Sequence, residues 1–117
     1  MAVHHCDLDE PSKFESDLKN ASDTYLEEFK FRKHARIFNA IGDEKRLKIL
    51  MLLEIREMCN CELTAALGLT QPNLTYHIKK LENAGLLDSR REGKYIYYAF
   101  KDRSLAEYVK KILSYKG

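Results

Sequence analysis

The stretch Leu67-Gly68-Leu69-Thr70-Gln71-Pro72 leaves this chain few ways to fold. Glycine is a common helix stop, threonine a good helix cap, and proline is tolerated in a helix only within the first turn. Together they predict a helix ending at Gly68, a tight turn at Leu69-Thr70, and a second helix capped by Thr70 with Pro72 in its first turn. In that second helix, stopped by Gly85, Leu74, Ile78 and Leu81 recur at i, i+4 and i+7 and predict a buried stripe. At about 100° per residue, Pro72, Tyr76, Lys79, Lys80 and Asn83 point away from the stripe, and Asn73, Thr75 and His77 flank it. Two helices joined this tightly read as a helix-turn-helix.

Asp43 caps a preceding helix expected over residues 44–57, whose wide apolar face of Leu47, Ile49, Leu50 and Leu53 is expected at the centre of the core. Pro11 suits the first turn of an N-terminal helix running through residues 14–33, and residues 34–41 continue as helix to Gly42. Downstream, residues 86–91 and 94–100 alternate like strands around Glu92-Gly93 and predict a basic β-hairpin. Asp102-Arg103-Ser104 then starts a last helix with Leu105, Val109, Ile112 and Leu113 on one stripe. The expected fold is mainly α with a β-hairpin wing: a winged helix-turn-helix over residues 34–117, preceded by an acidic arm over residues 1–33. The terminal helices keep apolar stripes to spare, which a dimer partner would cover.

A chain of 117 residues can bury one modest core. No apolar run approaches the roughly 20 residues that span a bilayer, so no membrane partner is expected. The first residues lack the basic and apolar regions of a signal peptide, which predicts a cytoplasmic protein. Three cysteines are too few for a disulfide scaffold and suit thiol chemistry or metal ligation better. No phosphate-binding glycine loop, nucleophile constellation or carboxylate dyad suggests an enzyme.

The net charge of +2 conceals an asymmetry. Residues 1–28 hold eight acids against two bases, and the rest of the chain holds 18 bases against ten acids. A basic body suits a polyanion. Thr70, Gln71, Asn73 and Thr75 place short polar groups near a helix start, where they can reach phosphates and base edges, and Tyr76, His77, Lys79 and Lys80 add further donors. Arg90, Arg91 and Lys94 straddle the hairpin turn, where a wing would meet backbone or minor groove. A polar helix face can also serve a protein-interaction module; its pairing with a basic wing favours double-stranded DNA.

Cys59-Asn60-Cys61 opens the first helix of the helix-turn-helix, a position where serine or threonine would cap and where Glu62 completes a capping box. Giving up a good cap costs about 1 kcal/mol, so sulfur at this place points to a use beyond helix stability. The plain alternative is a pair of small core residues. Near a helix start the macrodipole and free amides favour thiolates, which ligate soft ions such as As(III), Sb(III), Bi(III), Cd(II), Pb(II), Cu(I) and Zn(II). In a regular helix, residues i and i+2 point about 200° apart. Both cysteines can hold one ion only if the first turn opens.

Residues from about 34 to 113 resemble the ArsR/SmtB family of metal-responsive transcriptional repressors. The resemblance is carried by Leu47-Lys48-Ile49-Leu50, Met58-Cys59-Asn60-Cys61-Glu62-Leu63, Leu67 through Ile78, Leu81, Ala84-Gly85-Leu86-Leu87 and Arg91-Glu92-Gly93-Lys94. It implies a homodimer, formed by the first and last helices of the winged domain, that binds an inverted repeat in operator DNA and lets go when an ion binds. Arsenic-responsive members carry a third cysteine three residues after the second, where this chain has Thr64. The cadmium- and lead-responsive branch recruits an N-terminal cysteine, and by that resemblance Cys6, Cys59 and Cys61 form a trigonal thiolate site, with His4 or His5 as a candidate fourth ligand. The zinc site that other members build on the last helix is not expected, because that helix has no histidine. Regulation by thiol oxidation, or by no ligand at all, is the competing expectation.

Overall fold

The structure, a computed structural model, describes residues 11–117. The chain divides into two compact units at the Phe31-Arg32 boundary. In the first, helix α1 (Pro11–Leu26) begins with its proline in the first turn, as expected. The predicted continuous helix through residues 14–33 is interrupted: the chain turns at residues 27–30 before α2 (Phe31–Ile41) begins. No base stands in the last turn of α1, and Glu27-Glu28 would add two acids at the negative end of its dipole. The turn is braced by edge-to-face packing of Tyr25 on Phe29, 5.4 Å between centroids, and by a tilted contact of Phe29 with Phe31, 5.6 Å.

In the second unit, the Asp43 carboxylate caps α3 (Glu44–Ile55) by accepting the Arg46 N–H at 3.1 Å. Ile49, Leu50 and Leu53 are fully buried. Leu47 is a correction. It is only half-buried, and Arg46 takes the interior place instead. The reason is angular: Arg46, Ile49, Leu50 and Leu53 share one face at i, i+3, i+4 and i+7, and Leu47 lies a step of about 100° off it.

A two-residue strand, β1 (Met58–Cys59), leads into α4 (Asn60–Leu67), which ends at Gly68 in the left-handed conformation, φ 65°. Thr70 caps α5 (Gln71–Asn83), its Oγ1 accepting the Asn73 N–H at 3.3 Å. Leu74, Ile78 and Leu81 of α5 lie in the core beside Leu63 of α4. Strands β2 (Leu87–Glu92) and β3 (Tyr95–Phe100) form the wing and close on the pair Glu92–Tyr95. The turn is therefore Gly93-Lys94, one residue later than the expected Glu92-Gly93. Its first position needs a positive φ, and only Gly93, at 64°, supplies one.

β1 pairs antiparallel with β3, Met58 opposite Tyr98 and Cys59 opposite Tyr97, so the sheet order is β1-β3-β2. The last helix, α6 (Arg103–Leu113), is capped by Asp102 and locked to α3, because the Arg103 guanidinium donates to the terminal carbonyls of Leu53 and Glu54 at 3.0 and 2.8 Å. No helix among the described residues is long and apolar enough to cross a membrane.

Candidate nucleic-acid interface and thiol site

The core stripe of α5 decides what its other face can offer. With Leu74, Ile78 and Leu81 inside, Gln71, Asn73, Thr75, Tyr76, Lys79 and Lys80 are exposed together, next to the exposed cap Thr70. The Lys80 ammonium lies 5.5 Å from the Tyr76 ring, an exposed cation–aromatic contact. On the wing, Arg91 and Lys94 are exposed, and Lys94 lies 5.5 Å from the Tyr95 ring. Nine of the eleven residues expected to contact DNA thus stand on two exposed surfaces, the outer face of α5 and the tip of the wing.

Of the other two, His77 is a correction, because it is buried, while Arg90 is exposed on the wing but ion-paired. His77 is 6% exposed. It sits three residues after Leu74 and four before Leu81, inside the stripe, and packs under α5 against the start of α3. Its Nδ1 lies 3.1 Å from Arg46 Nη1, and Arg46 Nε donates to the Ala40 carbonyl at 2.6 Å. An arginine only donates, so Nδ1 must accept and the proton of the neutral ring rests on Nε2. Burial holds the His77 pKa below its ordinary 6.5, and the cationic Arg46 and Lys45 act in the same direction against Asp43.

Arg90 is exposed, but its charge is already matched. It pairs with Glu57 through Nη2 at 2.7 Å and Nε at 3.1 Å, pairs with Glu92, and stacks on Tyr97 at 4.7 Å. These carboxylates push its pKa further up. Arg90 ties the wing to the segment before β1, whereas its neighbour Arg91 makes no ion pair among the described residues. Arginines at adjacent strand positions face opposite ways, a signal the sequence already contained.

The two thiols also part company. Cys59 is buried and Cys61 exposed, and both are free. Cys59 stands at the cap of α4 with extended backbone and makes no side-chain cap bond of ordinary strength. The carboxylate half of the capping box carries the load: Glu62 accepts the Cys59 N–H at 2.9 Å and pairs with Arg56 at 2.7 Å. Those partners, Arg56 foremost, draw the Glu62 pKa down to about 2. Thr64, where a third cysteine was noted as missing, turns its hydroxyl onto the Asn60 and Cys61 carbonyls at 3.1 and 3.0 Å. Cys6, His4 and His5 lie outside the described residues, and among the described residues no three His, Cys, Asp or Glu side chains gather as a metal site.

Sequence reasoning missed Asn60, the residue between the thiols. Its side chain donates from Nδ2 to Gln71 Oε1 at 3.3 Å and accepts the Ile96 N–H at 3.4 Å. Helix α4, the recognition-type helix α5 and the wing meet at this one amide.

This architecture has known counterparts. The model of the bacterial regulatory protein family arsR matches residues 43–89, which hold the helix-turn-helix and the start of the wing. An uncharacterized HTH-type transcriptional regulator of Methanocaldococcus jannaschii is 39% identical over 82 residues, covering 69% of this chain and 92% of that protein. The chain belongs to the arsR family. The arsenical resistance operon repressor of Escherichia coli is 41% identical to this arsR-family chain over 64 residues, covering 54% of the chain and 55% of the repressor. Among solved structures, the homodimeric winged helix-turn-helix DNA-binding domain of a possible ArsR-family regulator from Mycobacterium bovis superposes with a TM-score of 0.68 at 26% identity, covering 72% of this chain and 78% of that one. The family is one of transcriptional regulators rather than enzymes, and the winged helix-turn-helix expectation holds.

Proposed function

We propose that this arsR-family chain is a repressor that binds operator DNA as a homodimer and is released when a soft ion binds its thiolates. The observation that carries the reading is the position of Cys59 and Cys61: two free thiols at the start of the first helix of the helix-turn-helix, one facing the interior and one facing solvent. Thr70, Gln71, Asn73, Thr75, Tyr76, Lys79 and Lys80 are the proposed readers on α5, and Arg91 and Lys94 the proposed wing contacts. The homodimer is supported by the apolar residues that α6 leaves exposed, Tyr108, Ile112 and Leu113, and by the homodimeric Mycobacterium bovis domain.

The donor set fits a soft ion in kind, since thiolates favour As(III), Sb(III), Cd(II), Pb(II) or Zn(II). A site for such an ion needs a third ligand, and Cys6 is proposed for it, with His4 or His5 as a fourth. Cys59 is buried at the end of β1 and Cys61 is exposed on the first turn of α4, so both sulfurs converge on one ion only if the start of α4 opens. Opening it shifts α4 under α5. Each recognition helix would then lose its spacing to its dimer mate, whose half-site lies about 34 Å away.

The test is titration of the reduced protein with Cd(II), Pb(II) or As(III). Thiolate-to-ion ultraviolet absorption and loss of affinity for DNA from its own promoter are expected, and a variant with Cys59→Ser and Cys61→Ser loses both. A response that survives in this variant sinks the site. DNA affinity falls steeply with salt, and Arg91→Ala lowers the slope of log affinity against log salt by about 1 whereas Arg90→Ala changes it less. Release by peroxide but by no ion would favour the oxidation-sensing alternative, and salt-insensitive or undetectable DNA binding would favour an interaction module.

A further inference from the structure

The Asn60 amide occupies a junction that none of its neighbours share, and its hydrogen bonds have a fixed direction. A backbone N–H can only donate, so the Ile96 N–H requires Asn60 Oδ1 on its side. Asn60 Nδ2 is then left to donate to Gln71 Oε1, and Gln71 Nε2 is left to donate to Thr75 Oγ1, 3.3 Å away. The result is one polar chain, Ile96 to Asn60 to Gln71 to Thr75, that runs from the wing through the start of α4 and along the exposed first turn of α5. Gln71 and Thr75 are two of the proposed DNA readers.

Asn60 is also flanked on both sides by sulfur. Its N-terminal neighbour Cys59 belongs to the wing sheet opposite Tyr97, and its C-terminal neighbour Cys61 lies on α4. Any movement that brings the two sulfurs together rotates the Asn60 peptide between them, and the side chain moves with its own backbone. Hydrogen bonds of 3.3 and 3.4 Å have little slack before they fail.

We propose that Asn60 is a positioning residue that transmits a change at Cys59 and Cys61 into both DNA-reading elements at once, freeing the Gln71–Thr75 face of α5 and the wing strand at Ile96. The proposal rests on the reading of the two thiols as the ion-responsive pair. It adds that the wing is released together with the recognition helix, and that this step has its own residue, which binds neither ion nor DNA.

Three full-length proteins test it, the unaltered chain, Asn60→Ala and Asn60→Asp, with Cd(II) as the probe. The aspartate keeps an acceptor for the Ile96 N–H and loses the Nδ2 donor, so Gln71 stays joined to it only by turning its amide over and donating Nε2. Thiolate absorption gives the Cd(II) affinity, and anisotropy of labelled promoter DNA gives the DNA affinity with and without Cd(II). In the unaltered chain Cd(II) lowers DNA affinity by a factor of roughly 5–150, the range of ordinary allosteric coupling. Asn60→Ala binds Cd(II) within about threefold of the unaltered chain, yet its DNA response shrinks to less than about threefold. Asn60→Asp falls between the two. Without any ion, exchange of the Ile96 amide proton quickens in Asn60→Ala and not in Asn60→Asp.

A full DNA response in Asn60→Ala overturns the proposal. So does loss of Cd(II) binding in that variant, which would make Asn60 part of the ion site itself. If Asn60→Ala does not fold, Asn60→Ser, whose hydroxyl is too short to reach both Gln71 and Ile96, takes its place, and an unreduced response there overturns the proposal. If the unaltered chain binds Cd(II) and keeps its DNA, the reading of the thiols fails first and the proposal falls with it.

Discussion

The two helices of the helix-turn-helix start in different chemistry. α5 starts on the hydroxyl of Thr70, which accepts the Asn73 N–H as its own cap. α4 starts on a thiol that caps poorly and is held by its surroundings instead: the Glu62 carboxylate on the Cys59 N–H, Arg56 on Glu62, and strand pairing of β1 with β3. A start secured by its own cap is local and hard to disturb from a distance. A start held partly from outside, by Arg56 and by strand β3, reports on both. The difference puts the less locally secured start of the motif at α4.

What fixes α5 is beneath it, and the largest expected effect lies there. Arg46→Met leaves the Ala40 carbonyl and His77 Nδ1 without their buried donor and lowers stability by about 3 kcal/mol, measured by urea unfolding. A loss as small as that of an exposed substitution would mean that α5 is seated by its leucines alone. Acid acts on the same seat. The folded chain keeps His77 neutral below its ordinary pKa of 6.5, whereas the unfolded chain protonates it there. Unfolding therefore takes up a proton, and this contribution, complete above pH 6.5, is lost as the pH falls through the lower folded value. Urea midpoints from pH 7.5 to 5 check this, and His77→Gln flattens the trend; an unchanged trend assigns the acid sensitivity to other groups.

The caps themselves give the direct contrast. Thr70→Ala removes the side-chain cap of α5 and costs about 1 kcal/mol. Cys59→Ser replaces a weak cap with a stronger one and changes stability by less than about 0.5 kcal/mol. Thermal melts of the two variants decide between them. If Cys59→Ser costs as much as Thr70→Ala, the sulfur is packing the core and the contrast between the helix starts disappears.

Much of this was legible in advance where the signal is carried by neighbouring residues. Gly68, Thr70 and Pro72 mark a stop, a cap and a start within five positions, and the structure puts the junction there. The leucine stripe of α5 and the alternation of β2 and β3 are equally local. His77 was readable too, because its spacing from Leu74 and Leu81 puts it on the buried stripe, but its polarity argued for the surface. Its partner Arg46 stands on another helix, and a histidine goes inside only when something there accepts or donates to it.

By itself the sequence determined where α4 stops and α5 starts, which face of α5 is apolar, and that a helix-turn-helix with a wing results, because caps, glycines and periodicity act over a few residues of backbone. Tertiary structure alone decided the rest. Strand β1 is two residues long and has no period to read; it exists because β3 offers it an edge. Arg90 is neutralised by Glu57, and Asn60 is joined to Ile96, across more than thirty residues of chain. Such pairings depend on which groups the packed core brings within about 3 Å of one another, and no local propensity encodes that distance.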